Sequence, residues 1–248
     1  MLLGLGCVIS AACVSNNITD IHIDKKMART KQRALVQGII STRNAVRLAC
    51  LLLVIGTVIL GLATSLLAAV LSLAGFIAYV WIYGYAKRAT RHGTIIGSLS
   101  GAIPPLVGFA SYQGKLDYSA ILLFLILVFW QMPHFYAIAI FQLEDYKAAG
   151  IPVLPAVSSL AATKLQMMLY VVCFSCTVFL LAVSGYTGYL FAAIALLLSV
   201  FWLATGLKSY RLSDNIAWSR RMFTASLAVI TGLCFAISLD SFRQSVGF

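Results

Sequence analysis

Charge is what this chain has least of. Only 10% of its 248 residues are charged, against roughly 25% in a soluble domain. Hydrophobic residues make up 61% and the mean hydropathy is +0.96. So little charge excludes a water-soluble enzyme, a nucleic-acid binder and a disordered chain, and leaves a polytopic membrane protein. Acids are scarcer still: 7 Asp and Glu stand against 18 Lys and Arg, a net charge of +11. In a lipid-embedded chain that excess fits positive-inside loops facing anionic lipid, and an anionic substrate, rather than DNA or RNA. Catalytic signatures are missing too. There is no glycine-rich nucleotide loop, no Ser/His/Asp set and no redox motif. The six cysteines all lie in apolar stretches. Cys173 and Cys176 form one CxxC with no second pair, His or acid near it, so they read as small hydrophobes and imply no disulfide framework.

What the chain does have is apolar runs. Seven are long enough to cross a bilayer, near 46–64, 66–83, 94–112, 119–141, 165–183, 187–206 and 222–240. An eighth, Leu2 to Val14, would span only about 20 Å as a helix, short of a core about 30 Å thick. It lacks a basic n-region and a cleavage site, so it is not a signal peptide; it reads as the inner half of a helix. The segments 16–47, 84–93, 142–164 and 207–221 hold 16 of the 18 basic residues, leaving Lys115 and Arg243 elsewhere. That alternation predicts up-and-down threading with the basic loops on the cytoplasmic side. No linker divides the chain, so residues 1–248 are expected to form one transmembrane domain, all-α. Gly93, Gly97 and Gly101 recur every four residues, a spacing for close helix packing, and Pro104-Pro105 should interrupt that helix.

The few acids can be weighed singly. Asp117 and Asp240 lie on the basic-poor side, and Asp214 is alone in a basic loop. The others pair on the basic side: Asp20 with Asp24, and Glu144 with Asp145. Asn16, Asp20 and Asp24 are spaced i, i+4, i+8, which puts all three on one face if the opening helix continues. Such carboxylates repel unless a cation stands between them. Magnesium suits the place, because it takes a few carboxylate oxygens and fills its octahedron with water and phosphate. A solvated helix end salted by Lys25, Lys26 and Arg29 is the plainer alternative. The flanking Asn and the second acid pair favour the cation site. With Lys31 and Arg33, and Lys87, Arg88 and Arg91 in the next rich loop, these basic residues would cradle a diphosphate. An anionic head beside an apolar, aromatic-rich bundle describes an isoprenoid diphosphate. His134 follows Pro133 in or near the end of an apolar segment, where a functional role and a hydrogen-bonded packing role are both open. His22 and His92 have no partners at metal-ligand spacing, so no zinc site is indicated.

These residues resemble the UbiA-type intramembrane prenyltransferases and, within them, the protoheme IX farnesyltransferase branch. The superfamily's first aspartate motif matches Asn16, Asp20 and Asp24, followed by Lys25-Lys26-Met27 and Arg29-Thr30. Lys87-Arg88 match its basic pair, followed by Gly97-Ser98-Leu99-Ser100-Gly101-Ala102-Ile103-Pro104-Pro105. The heme branch is indicated by Trp130-Gln131-Met132-Pro133-His134, and by Asp145-Tyr146 with Ala149-Gly150-Ile151-Pro152-Val153-Leu154-Pro155. The likeness runs in order from about residue 3 to about residue 240.

The resemblance implies a nine-helix bundle with a central cavity on the cytoplasmic side of a bacterial inner membrane. It implies farnesyl transfer from farnesyl diphosphate to a vinyl group of heme b, giving heme O for terminal oxidases. Asn16, Asp20 and Asp24 would take the first Mg²⁺-diphosphate role and Asp145 the second acidic site. Lys25, Lys26, Arg29, Arg33, Lys87 and Arg88 would bind diphosphate, and His134 is the heme-binding candidate. The family carries a full first helix and the outer half of the second ahead of this motif, so the expected bundle lacks them and the 248 residues are expected to be inactive or weak as a farnesyltransferase. An aromatic quinone precursor as acceptor and a non-catalytic binding or assembly role are the alternatives. A secondary transporter is disfavoured, because its acids should lie near the midplane.

Overall fold

A computed structural model describes residues 1–210 and 214–246; Arg211 lies outside the described residues, as does the side chain of Arg243. Eight helices are long and apolar enough to cross a membrane: α1 (Leu2–Thr19), α2 (Thr42–Ala63), α3 (Leu66–Ala89), α4 (Gly93–Gln113), α5 (Tyr118–Phe141), α6 (Leu160–Val183), α7 (Tyr189–Lys208) and α8 (Asn215–Asp240). The described residues contain no strand.

The opening helix runs farther than its apolar run, Leu2 to Val14. Helix α1 has 18 residues, about 27 Å at 1.5 Å per residue. The polar run Ser15-Asn16-Asn17 does not stop it, because the backbone ladder continues: the Asp20 N–H donates to the Asn16 carbonyl at 2.9 Å. Other starts are set by side chains that accept a first-turn N–H. Ser41 caps α2, Asp117 caps α5 and Ser159 caps α6. Pro104 and Pro105 act as expected: α4 is regular over Gly93–Gly101 and restarts at Ile103–Gln113. Pro133 instead stays inside α5.

The bundle has two cores. Leu5 and Val8 of α1 meet Leu60 of α2, Ala68 of α3 and Val107 of α4 in the smaller one. The larger gathers Tyr136 of α5, Phe174 of α6, Phe191 and Trp202 of α7 and Trp218 of α8. Outward faces are apolar, with Leu62, Leu66 and Tyr112 among the most exposed side chains. Such a surface is stable in lipid rather than water, and the chain is a multi-pass membrane protein. The seam between the cores, where α3 and α4 face α5, holds the cavity described next.

Candidate active site

The basic-side loops meet at one end of the bundle. The Ala28 and Arg29 N–H groups donate to the two carboxylate oxygens of Asp145, each at 3.3 Å. Asp145 thus fastens the loop after α1 to the turn after α5. Lys87 and Arg88, at the end of α3, reach the C-terminal end of α1.

Asp20 ends α1 and is only 7% exposed. Its carboxylate accepts from Lys87 Nζ at 2.5 Å and from Arg88 Nη2 at 2.9 Å. Lys87 Nζ also donates to Asn16 Oδ1 at 2.5 Å. One turn further on, Asp24 is 3% exposed and accepts from Arg33 Nη1 at 2.7 Å, while Arg33 reaches Asn17 Oδ1 at 3.0 Å. The repulsion expected between the two acids is therefore relieved by separate cations. A buried carboxylate needs such a partner, since stripping a charge of water without one costs several kcal/mol.

Two independent side chains, Asn16 and Asp20, aim oxygens at one point, and an ammonium sits there. That convergence of hard oxygen donors fits a small divalent cation, which needs only one or two carboxylates if phosphate supplies the rest. Among the described residues no group of three His, Cys, Asp or Glu side chains gathers around one point, so such a cation would depend on the substrate's oxygens.

Behind Lys87 opens a cavity of about 240 Å³, lined by Tyr79, Tyr83, Arg91, Gln131, Phe135 and Tyr146 among others. The glycine stripe shapes it. A Cβ on Gly93 would fall 2.7 Å from the Lys87 Cα, and one on Gly97 would fall 2.9 Å from the Tyr83 ring. Packing is indeed the use of this spacing, and what it packs is the cavity wall. Residues Ala78–Tyr83 of α3 form a π-helical segment, a widened turn common at functional sites, and it carries Tyr79 and Tyr83. Burial pushes the Tyr146 phenol up from its ordinary value; Arg29 opposes this and Asp145 adds to it. Tyr146 is accordingly a neutral hydrogen-bond donor at neutral pH. A second, mainly apolar chamber of about 340 Å³ runs deeper between α1, α3 and α4, lined by Leu5, Val8, Phe76 and Ile103. Tyr79 and Gly101 line both spaces.

The structure thus brings Asn16, Asp20, Asp24, Arg33, Lys87, Arg88 and Asp145 to one end. Lys25, Lys26 and Arg29 are exposed there; Arg29 takes part through its backbone N–H. His134 lies elsewhere. It is buried between α5 and α8, with Nδ1 2.8 Å from Ser226 Oγ, stacked on Trp130 at 4.8 Å and packed on Phe223 at 4.7 Å. It does not line the cavity, whereas its neighbours Gln131 and Phe135 do. Tyr79, Tyr83 and the wall role of Gln131 were not singled out from sequence. The signal for Tyr83 was present in the glycine stripe, but only a partner helix reveals what each glycine faces.

A membrane bundle with a cation-lined acidic cluster opening onto an apolar cavity is the architecture of an intramembrane enzyme acting on an amphipathic anion. The UbiA prenyltransferase family profile matches residues 1–228, and the chain belongs to that family. It is 42% identical over 248 residues to the protoheme IX farnesyltransferase of Photorhabdus laumondii, covering 100% of this chain and 84% of that one. Identity to the Klebsiella pneumoniae protoheme IX farnesyltransferase is 43% over 240 residues, 96% of this chain and 81% of that one. Two solved structures share the fold. A structure of digeranylgeranylglyceryl phosphate synthase superposes with TM-score 0.78 at 18% identity, covering 97% of this chain and 85% of its own. The apo UbiA homolog of Aeropyrum pernix K1 gives 0.72 at 16%, covering 94% and 86%.

Proposed function

We propose that this chain transfers the farnesyl group of farnesyl diphosphate to a vinyl group of heme b, giving heme O. One observation carries the choice of substrates: relatives of that name are more than two-fifths identical to it along nearly its whole length. The site supports the chemistry. Lys87, held by Asn16 and Asp20 beside Arg88, lines the cavity that shares Tyr79 and Gly101 with the apolar chamber. A diphosphate head there would place its isoprenoid tail against Leu5, Val8 and Phe76. The leaving group gains negative charge as the allylic C–O bond breaks, and preorganised cations stabilise that charge. Lys25, Lys26, Arg29 and Arg33 would extend the cradle. The aromatic and apolar walls exclude bulk water from the allylic cation.

Asn16, Asp20, Asp24 and Asp145 are assigned to Mg²⁺. When bound, the ion neutralises diphosphate and favours its departure. Asp24, with Arg33, and Asp145, through residues 28 and 29, also fix the loop after α1. We place these acid motifs on the cytoplasmic face of the bacterial inner membrane, from the charge of the loops that carry them. The test is to incubate membranes holding the protein with farnesyl diphosphate, heme b and Mg²⁺, then separate the hemes. A farnesylated heme is expected. Diphosphate release with an aromatic quinone precursor as the only productive acceptor would overturn the choice of heme.

A further inference from the structure

Gln131 is an amide in the middle of a membrane helix, 5% exposed, and only half of its hydrogen-bonding capacity is used. Its Nε2 donates to the Leu127 carbonyl at 3.1 Å and to the Ser98 carbonyl at 3.4 Å. Only the nitrogen can donate, so these two carbonyls fix which way the amide points. Oε1 then faces Gly101, where a Cβ would overlap it. Oε1 receives no hydrogen bond among the described residues, and Gly101 lines both the cavity behind Lys87 and the apolar chamber. A locked acceptor therefore stands at the partition between the two spaces. Gln131 lines the cavity behind Lys87, so this unmatched acceptor is open to a small donor such as water.

Resting on the reading of the chain as a heme farnesyltransferase, we propose that Gln131 positions the water molecule that completes the reaction. The allylic C–O bond breaks and diphosphate leaves with the electron pair. The vinyl π electrons form the new C–C bond to farnesyl C1, which leaves a cation on the vinyl carbon next to the macrocycle. Water held by Gln131 Oε1 turns an oxygen lone pair to that carbon, and its surplus proton goes to the departed diphosphate. Gln131 takes no proton; it is a positioning residue. Without the held water, the same cation loses a proton and yields an alkene lighter by one water.

The product ratio reads this directly. The wild-type protein, Gln131→Leu, Gln131→Glu and Gly101→Ala are each given farnesyl diphosphate and heme b in heavy-oxygen water, with diphosphate release measured in parallel. Gln131→Leu should release diphosphate and form the C–C bond, while the labelled hydroxyl product falls about tenfold relative to the alkene, the size of one lost hydrogen bond of about 1.4 kcal/mol. Gln131→Glu has no N–H to hold it on the Leu127 and Ser98 carbonyls, so its acceptor is no longer locked and the hydroxyl product should fall as well. Gly101→Ala displaces the amide and should behave as Gln131→Leu. An unchanged product ratio in both Gln131→Leu and Gly101→Ala overturns the assignment. Loss of diphosphate release from a folded Gln131→Leu chain also overturns it, since Gln131 would then act before the water step. A wild-type chain that makes no farnesylated heme refutes the function reading, and this inference with it.

Discussion

Replacing Lys87 with methionine keeps most of the side-chain stem and removes the ammonium. The Lys87 and Asp20 side chains are each 10% exposed, so their contact is poorly screened by solvent. Two hydrogen bonds vanish, to Asp20 and to Asn16 Oδ1. Removing one partner of a buried ion pair costs about 3–5 kcal/mol when the other is stranded. Here Asp20 is not stranded, because Arg88 keeps its 2.9 Å contact. The stability loss should therefore stay near the value of a single charged hydrogen bond, about 1.5–3 kcal/mol. The diphosphate loses a cation of the same strength in the transition state. At about 1.4 kcal/mol per factor of ten, kcat/KM for farnesyl diphosphate should fall roughly 10- to 150-fold. Turnover of labelled farnesyl diphosphate in detergent, beside a thermal melt, measures both. Asn16→Ala completes a double-mutant cycle. Because Asn16 acts by holding the same ammonium, the double variant should lose less than the sum of the single losses. Turnover within about twofold of wild type in Lys87→Met, or strict additivity with Asn16→Ala, would refute the convergence of Asn16 and Lys87 on the diphosphate.

Gly97→Ala puts a methyl 2.9 Å from the Tyr83 ring; it should cost about 1–3 kcal/mol by overpacking and lower turnover, read by melt and product assay. Asp145→Asn leaves the Ala28 and Arg29 N–H groups a poorer acceptor, and proteolysis of the 25–41 loop should become faster while the helices stay protected. Substituting cysteine at positions 31 and 115 should give labelling from opposite sides of the membrane; the same side for both would overturn the threading. His134→Phe keeps a ring between Trp130 and Phe223 but loses the Ser226 bond. It should lower the melting temperature and leave hemin affinity, measured by Soret titration, unchanged.

The membrane bundle was legible because it follows from composition and from the side on which charge falls, and neither depends on long-range contacts. The pair Asp20 and Asp24 was legible for a similar reason: residues four apart share a helix face whatever surrounds them. Contacts between helices were not. Lys25 and Lys26 lie next to the aspartates in sequence, yet the ammonium on Asp20 comes from Lys87, 67 residues away. Charge counting treats these lysines alike, and only packing of α3 against α1 separates them. The same blindness hid Gln131. Its sequence motif draws the eye to His134, which turns toward α8, while Gln131, three residues earlier, turns toward the cavity because Gly101 leaves room for it. Asp145 shows the deepest limit. As an acid it could be picked out, but its partners are the backbone N–H groups of residues 28 and 29. Every non-proline residue carries that donor, so no side chain in the loop announces the contact that ties it to the turn after α5.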